Sequence, residues 1–321
     1  MRKIPAALAV LGLVTVGLAG CSMPGSSSDC SRPAVSDADV MDLIDVTGDT
    51  DEQPEVDMYT PLRAPHLAYE DVVVGDGTPI TAQNQLMVVD VALFSGATGE
   101  PLVATAYDGD LSSVTSPAQW TTNFPGFEDA LHCATDGSRI AVALSPDDMA
   151  DGVAKGFGLE DDDTAVAVVD VRKVYLPAAD GANQFNSGFG LPTVVRAPDG
   201  RPGLIIPDGA PPTDVVVQTL KKGTGEKVTG DQPVRVHYTG VVWGENEAFD
   251  STWDGEPASV TLDGVVPGFA QALEGQTVGS QVLVVVPPDQ GYGDEAQGAI
   301  PAGSTLVFVI DILGLDVAPE E

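Results

Sequence analysis

Residues 124–148 read FPGFEDALHCATDGSRIAVALSPDD and residues 266–290 read VPGFAQALEGQTVGSQVLVVVPPDQ; the two stretches agree at 11 of 25 positions at a constant offset of 142. The match extends outward in both directions. Gly75-Asp76-Gly77 stands against Gly223-Thr224-Gly225 upstream, and TAVAVVDV from Thr164 stands against TLVFVIDI from Thr305 downstream. A period this long describes two tandem globular copies of one domain, not a solenoid of short units. The copies are expected over residues 58–178 and 213–315, joined by a semi-ordered linker, 179–212, that carries Gly, Asn, Pro and Asp-Gly turns.

In the second copy Val234, Val236 and Tyr238 alternate with Arg235, His237 and Thr239, the period-two pattern of a half-buried strand. Leu306, Phe308, Ile310 and Ile312 repeat that pattern, and Gln281–Val286 is a short apolar run suited to a central strand. Only Pro267–Leu273 reads as helix, with proline at an allowed first position and Phe269, Ala272 and Leu273 on one face. One short helix against several strands predicts an α+β domain whose antiparallel sheet buries one face on that helix. The 36 Gly and 25 Pro of the 321 residues fit a turn-rich, helix-poor chain.

The net charge of −34 excludes binding to a phosphate backbone by counterion release, so no nucleic-acid partner is expected. Arg2 and Lys3 precede an uncharged stretch, Ile4–Gly20, that ends in Leu18-Ala19-Gly20-Cys21. This arrangement resembles a bacterial lipoprotein signal, predicting removal of residues 1–20 and lipidation of Cys21. Residues 21–57, rich in Ser, Asp, Glu and Pro, then read as a tether, and 316–321 as a tail. The expected location is extracytoplasmic, with the protein lipid-anchored to the bacterial cell membrane. Export leaves Cys30 and Cys133 either as a disulfide or as two free thiols, and an oxidising compartment favours the disulfide.

Familiar catalytic constellations are missing from the sequence. His66, His132 and His237 are scattered without zinc-ligand spacing, and neither a P-loop nor a dinucleotide glycine fingerprint occurs, so no metal or cofactor is expected. What remains is an ordered set of segments: VHYTG (236–240), AFDS (248–251), VVPGF (265–269), PPDQGYG (287–293) and IPAGSTLVF (300–308). In order and spacing they resemble the FKBP family, the tacrolimus-binding peptidyl-prolyl isomerases, across nearly all of residues 213–315.

The resemblance implies a twisted sheet wrapped over one helix with an apolar pocket between them. It places Phe269 as the pocket floor, where the family usually has tryptophan, and Tyr238, Phe249 and Phe308 as aromatic walls. Asp250 takes the position of the acid beside the prolyl amide. Val266 stands where the backbone N–H grips a ligand carbonyl, Tyr292 is the flap tyrosine whose hydroxyl does likewise, and Ile300 lines the same flap. An aromatic usual after the FDS segment is absent: Ala258 stands near its place, with Trp253 as a candidate substitute. The implied catalytic set is Tyr238, Asp250, Tyr292 and Phe308, with Phe249, Val265, Val266, Phe269 and Ile300 binding substrate.

Rotation about an X-Pro amide crosses a barrier of about 18–20 kcal/mol because twisting breaks resonance. A dry pocket that favours the less charge-separated twisted amide needs no nucleophile. The implied partners are proline-containing unfolded or exported polypeptides and macrolide ligands. A non-catalytic peptide-binding holdase is the competing expectation. In the first copy Val91, Leu102, Ala150 and Ala167 stand opposite Tyr238, Phe249, Tyr292 and Phe308, and no acid matches Asp250. That copy keeps Phe127 and the helix face, so a folded domain without the site is expected there.

Overall fold

The computed structural model describes residues 30–34, 38–186, 188–245 and 247–318; the leader and Cys21 lie outside the described residues. A 3-10 turn (Ala38–Leu43) opens onto a hairpin of β1 (Ile44–Thr47) and β2 (Glu55–Met58). The first copy follows with β3 (Ala68–Val73), β4 (Met87–Ser95), β5 (Pro101–Ala104), α1 (Pro117–Thr121), α2 (Phe127–Leu131), β6 (Arg139–Leu144), α3 (Val153–Gly156) and β7 (Ala165–Val174). Next come β8 (Ala182–Asn183), β9 (Thr193–Arg196) and β10 (Pro202–Ile205). The second copy comprises β11 (Val216–Lys222), β12 (Val234–Val242), β13 (Ala248–Ser251), β14 (Ala258–Val260), α4 (Pro267–Leu273), β15 (Gln281–Val286) and β16 (Leu306–Leu315).

Both sheets are antiparallel and share one strand order. It is β3-β6-β7-β4-β5 in the first copy and β11-β15-β16-β12-β13 in the second, where β8 extends the β11 edge and β14 pairs with β12. Even the irregularities recur. A bulge lies between Val88 and Val89 where β4 meets β7, and another between Arg235 and Val236 where β12 meets β16. The tandem α+β architecture read from the repeat is therefore the observed one.

The expectation of one buried sheet face is corrected by the central strands. Along β15, Val282, Val284 and Val286 join Phe269, Ala272 and Leu273 of α4 in one core, while Leu283 and Val285 point the other way. That opposite face, with Val307 and Val309 of β16, is covered by Leu191, Val194, Leu204 and Ile206 around the β9–β10 hairpin. In the first copy Ala141, Ala143, Val166 and Val168 are covered by Met41, Ile44 and Leu62. A sheet apolar on both faces needs two layers over it, so much of the expected tether and linker is built into the fold. Each copy carries its own hairpin, placed before it in the chain.

A buried polar pair ties each hairpin down. Arg139, fully buried, makes a two-pronged ion pair with Asp170 at 2.7 and 2.9 Å and donates to the carbonyls of Gly48, Asp49 and Glu52 in the β1–β2 turn. At the matching place in the second copy Gln281 donates to Asp311 at 2.7 Å and accepts from Arg196 of β9. The residues after β7 also dock on the second copy. Leu176 N–H donates to Leu313, Ala179 N–H to the Asp311 carboxylate and Gly181 N–H to Gly279. Tyr175 is 1% exposed and its hydroxyl donates to Asp316, which also pairs with Arg235 at 2.9 Å. Asp316 is thus a structural residue and not the start of a tail.

Candidate functional site

Alternation along β12 sends Tyr238 toward α4, and His237 with Thr239 to the opposite face. Phe308 of β16 and Phe249 of β13 reach the same space, where α4 presents Phe269. The rings pack edge to face: Phe308 lies 5.1 Å from Phe269 at 82°, 5.7 Å from Phe249 at 88° and 6.3 Å from Tyr238 at 67°. Tyr238 in turn meets Phe269 at 5.8 Å and 85°. Edge-to-face aromatic contacts add directional attraction to area burial, so these rings form a fixed apolar cup.

Gly240 makes this packing possible. A Cβ there would stand 2.6 Å from Phe249 Cζ and 2.8 Å from Phe308 Cε1, inside van der Waals contact with both rings. Gly268 acts likewise under the helix, since its Cβ would lie 2.5 Å from a Val286 methyl. Pro267 starts α4 with a fixed φ, and Val266 before it caps the helix in an extended conformation, φ −60° and ψ 145°.

The cup opens into a cavity of about 360 Å³ lined by Tyr238, Phe249, Asp250, Val260, Asp263, Gly264, Val265, Val266, Phe269, Tyr292 and Phe308. The Tyr238 hydroxyl donates a short hydrogen bond to the Asp250 carboxylate. Burial, then that bond, push the Tyr238 pKa above its ordinary value, so the phenol keeps its proton and remains a donor. Among the described residues the Val266 N–H and the Tyr292 hydroxyl have no hydrogen-bond partner, and Tyr292 is 40% exposed. A peptide carbonyl entering the cavity would meet these two open donors.

Of the residues proposed from sequence, Tyr238, Phe249, Asp250, Val265, Val266, Phe269, Tyr292 and Phe308 line this one cavity. Ile300 does not. It is 5% exposed and packs in the core beside Phe308. Trp253 is also no substitute wall. It stacks on His237 at 4.5 Å, on the other face of the sheet, and its backbone oxygen accepts from Arg201. The missing wall is closed instead by Val260, with Asp263 and Gly264 at the mouth, three residues that sequence reasoning passed over. Val260 was legible as the alternation partner of Ala258 on β14; Asp263 had no signal beyond its place before VVPGF.

The first copy has no comparable cup. Its platform Phe127 is covered by Trp120 at 6.0 Å and by Phe124 at 5.3 Å, and Phe124 stacks in turn on Phe157. Register places Leu93 where the second copy has Gly240, since Leu93 pairs with Ala167 as Gly240 pairs with Phe308. A buried leucine fills the space that the glycine leaves open.

Residues 224–313 match the family described as FKBP-type peptidyl-prolyl cis-trans isomerase. A probable FK506-binding protein of Corynebacterium glutamicum is 35% identical over 114 residues, which is 35% of this chain and 97% of that protein. The FKBP-type peptidyl-prolyl cis-trans isomerase FkpA of Escherichia coli strain K12 is 36% identical over 108 residues, 34% of this chain and 40% of that protein. Among solved structures, FkpA from Escherichia coli aligns with a TM-score of 0.31 and 32% identity, covering 39% of this chain and 53% of that one.

Proposed function

Because the chain belongs to the FKBP-type peptidyl-prolyl cis-trans isomerase family, we propose that residues 213–315 isomerise X-Pro bonds of exported polypeptides outside the cytoplasmic membrane, with the first copy as a non-catalytic companion. The observation that carries this reading is the aromatic cup with one carboxylate and two open donors in the second copy. The prolyl ring seats on Phe269 and Phe308. Val266 N–H and the Tyr292 hydroxyl hold carbonyls on either side of the bond, and the low-polarity walls favour the twisted amide over the planar one. The Tyr238–Asp250 pair complements the changed carbonyl and nitrogen electrostatically.

The N-terminal features belong to the same proposal: a signal ending at Gly20, a lipid on Cys21, and a Cys30–Cys133 disulfide. In support of the last, both cysteines are disulfide-bonded. The apolar cup also suits a macrolide ligand, as the name of the Corynebacterium relative suggests. The test is peptide isomerisation followed by NMR exchange with the full chain. Acceleration that a macrolide abolishes supports the assignment; peptide rates equal to the uncatalysed ones sink it.

One observation favours chain binding without catalysis as a second reading. Phe185 and Phe189 are 95% and 103% exposed, and the segment flanking Phe185 is held by the Gln184 N–H donating to the Leu220 carbonyl and the Asn186 side-chain amide donating to the Thr219 carbonyl. Aggregation suppression that survives a blocked cavity and fails in a Phe185→Ser/Phe189→Ser protein would favour this role.

A further inference from the structure

The isomerase cavity combines an apolar floor with an acidic mouth. From residue 236 to the C-terminus the chain contains no Lys or Arg, so every segment that builds the cavity is free of positive charge. The basic residues of the second copy lie elsewhere. Lys221 and Lys222 are on β11, across the sheet from β12 and β13; Lys227 bridges to Thr277 beyond the far end of α4; Arg235 is locked to Asp316. Of the two carboxylates that line the cavity, Asp250 accepts from Tyr238. Asp263 is exposed and makes no ion pair among the described residues.

We infer that Asp263 selects substrates with a lysine or arginine flanking the proline. The inference rests on the isomerase reading and names its substrate class. Phe269, Val260, Val265 and Asp263 line the same cavity, so the side chain next to a prolyl ring seated on Phe269 would pass the apolar Val260 and Val265 on its way to the exposed Asp263 carboxylate. A long basic side chain fits that route twice over: its methylene stem covers the apolar rim while its charged head meets the acid. Low-polarity walls and the uniformly acidic surroundings focus the field at the mouth, so a positive chain end is drawn in and a negative one repelled. An acidic flank would meet Asp263, and no residue lining the cavity carries a cation to offset the repulsion.

The experiment uses the full chain and proline peptides that differ only in the residues flanking proline, with Lys, Ala or Glu at each in turn. Isomerisation is followed by NMR exchange, which avoids a helper protease with its own charge preference. The expected order of kcat/KM is Lys over Ala over Glu at one flank, roughly two- to fivefold per step at low salt, as befits a partly exposed pair. The steps shrink in 0.5 M salt. Asp263→Asn collapses the Lys-to-Glu ratio toward one, and Asp263→Lys inverts it. A ratio near one in the native protein, or an unchanged ratio in Asp263→Asn, overturns the inference. If no peptide is accelerated the isomerase reading fails separately. The same peptides are then ranked by binding-induced chemical-shift changes, where a Lys preference lost in Asp263→Asn sustains the selection by charge and its absence overturns it.

Discussion

Tyr238 and Gly240 separate the two things a residue in this cavity can do, which are to touch the reacting amide and to keep space for it. Tyr238→Phe removes the donor to Asp250 while leaving the ring contacts; the expected result is a roughly tenfold fall in kcat/KM with little change in melting temperature. An unchanged rate would reduce the pair to packing. Gly240→Ala acts differently. Its methyl must displace the rings of Phe249 and Phe308, so macrolide binding should be lost along with about 1–3 kcal/mol of stability, measured by calorimetric titration and denaturant unfolding. Tyr238, Phe249, Asp250, Phe269 and Phe308 were legible in the sequence because their segments keep a distinctive order. Gly240 sat within one of those segments, VHYTG, yet its role depends on which rings approach it from two other strands. Trp253 misled because proximity in sequence did not say on which face of the sheet it would lie, and Ile300 because it lies on the α4 side but is buried in the core instead of lining the cavity.

At the scale of elements, the hairpins are what sequence reading missed. β9 and β10 are four residues each with much of their surface exposed, too short for a convincing alternation, and they follow a Gly- and Asn-rich stretch that looks like a linker. The signal lay in their clients, because the unbroken apolar run Val282–Val286 cannot belong to a sheet with one wet face. His237 reports on this back side of β12. It is 3% exposed, bonded to Thr252 and stacked on Trp253, and burial, followed by the positive charge of Arg201, brings its pKa down to about 4 from 6.5. A base whose folded pKa is depressed contributes stability above its unfolded pKa, and that stability is lost as pH falls from about 6.5 to about 4. The second copy should therefore lose about 1–2 kcal/mol between pH 7 and pH 5. His237→Gln should flatten that part of the profile relative to the native chain. Parallel pH profiles for the two proteins would remove histidine burial as the cause.

The whole molecule joins an acidic surface to an internal seam. The net charge was legible at once, and both copies share in it; its expected consequence is a melting temperature that rises with salt as self-repulsion is screened. The seam was not legible, because it is built from the residues that follow β7 and from the end of β16, which a repeat alignment treats as borders. Tyr175 is its centre. Its ring lies against Gly314, where a Cβ would come within 2.5 Å of the ring, its hydroxyl reaches Asp316, and Lys173 beside it donates to the Leu315 carbonyl at 2.6 Å. Phe308 of the cavity lies on that same strand β16, so ordering the seam also steadies the strand that carries the centre of the aromatic cup. Two copies coupled in this way should unfold in one calorimetric transition, with the calorimetric and van't Hoff enthalpies equal. Tyr175→Ala empties a buried site, costs about 3–5 kcal/mol at the seam, and should split the melt in two. The upper or lower step would then shift with macrolide while the other stays fixed, identifying which belongs to the second copy. Two ligand-independent transitions in the native chain would mean that the seam holds the copies in place without coupling their stability.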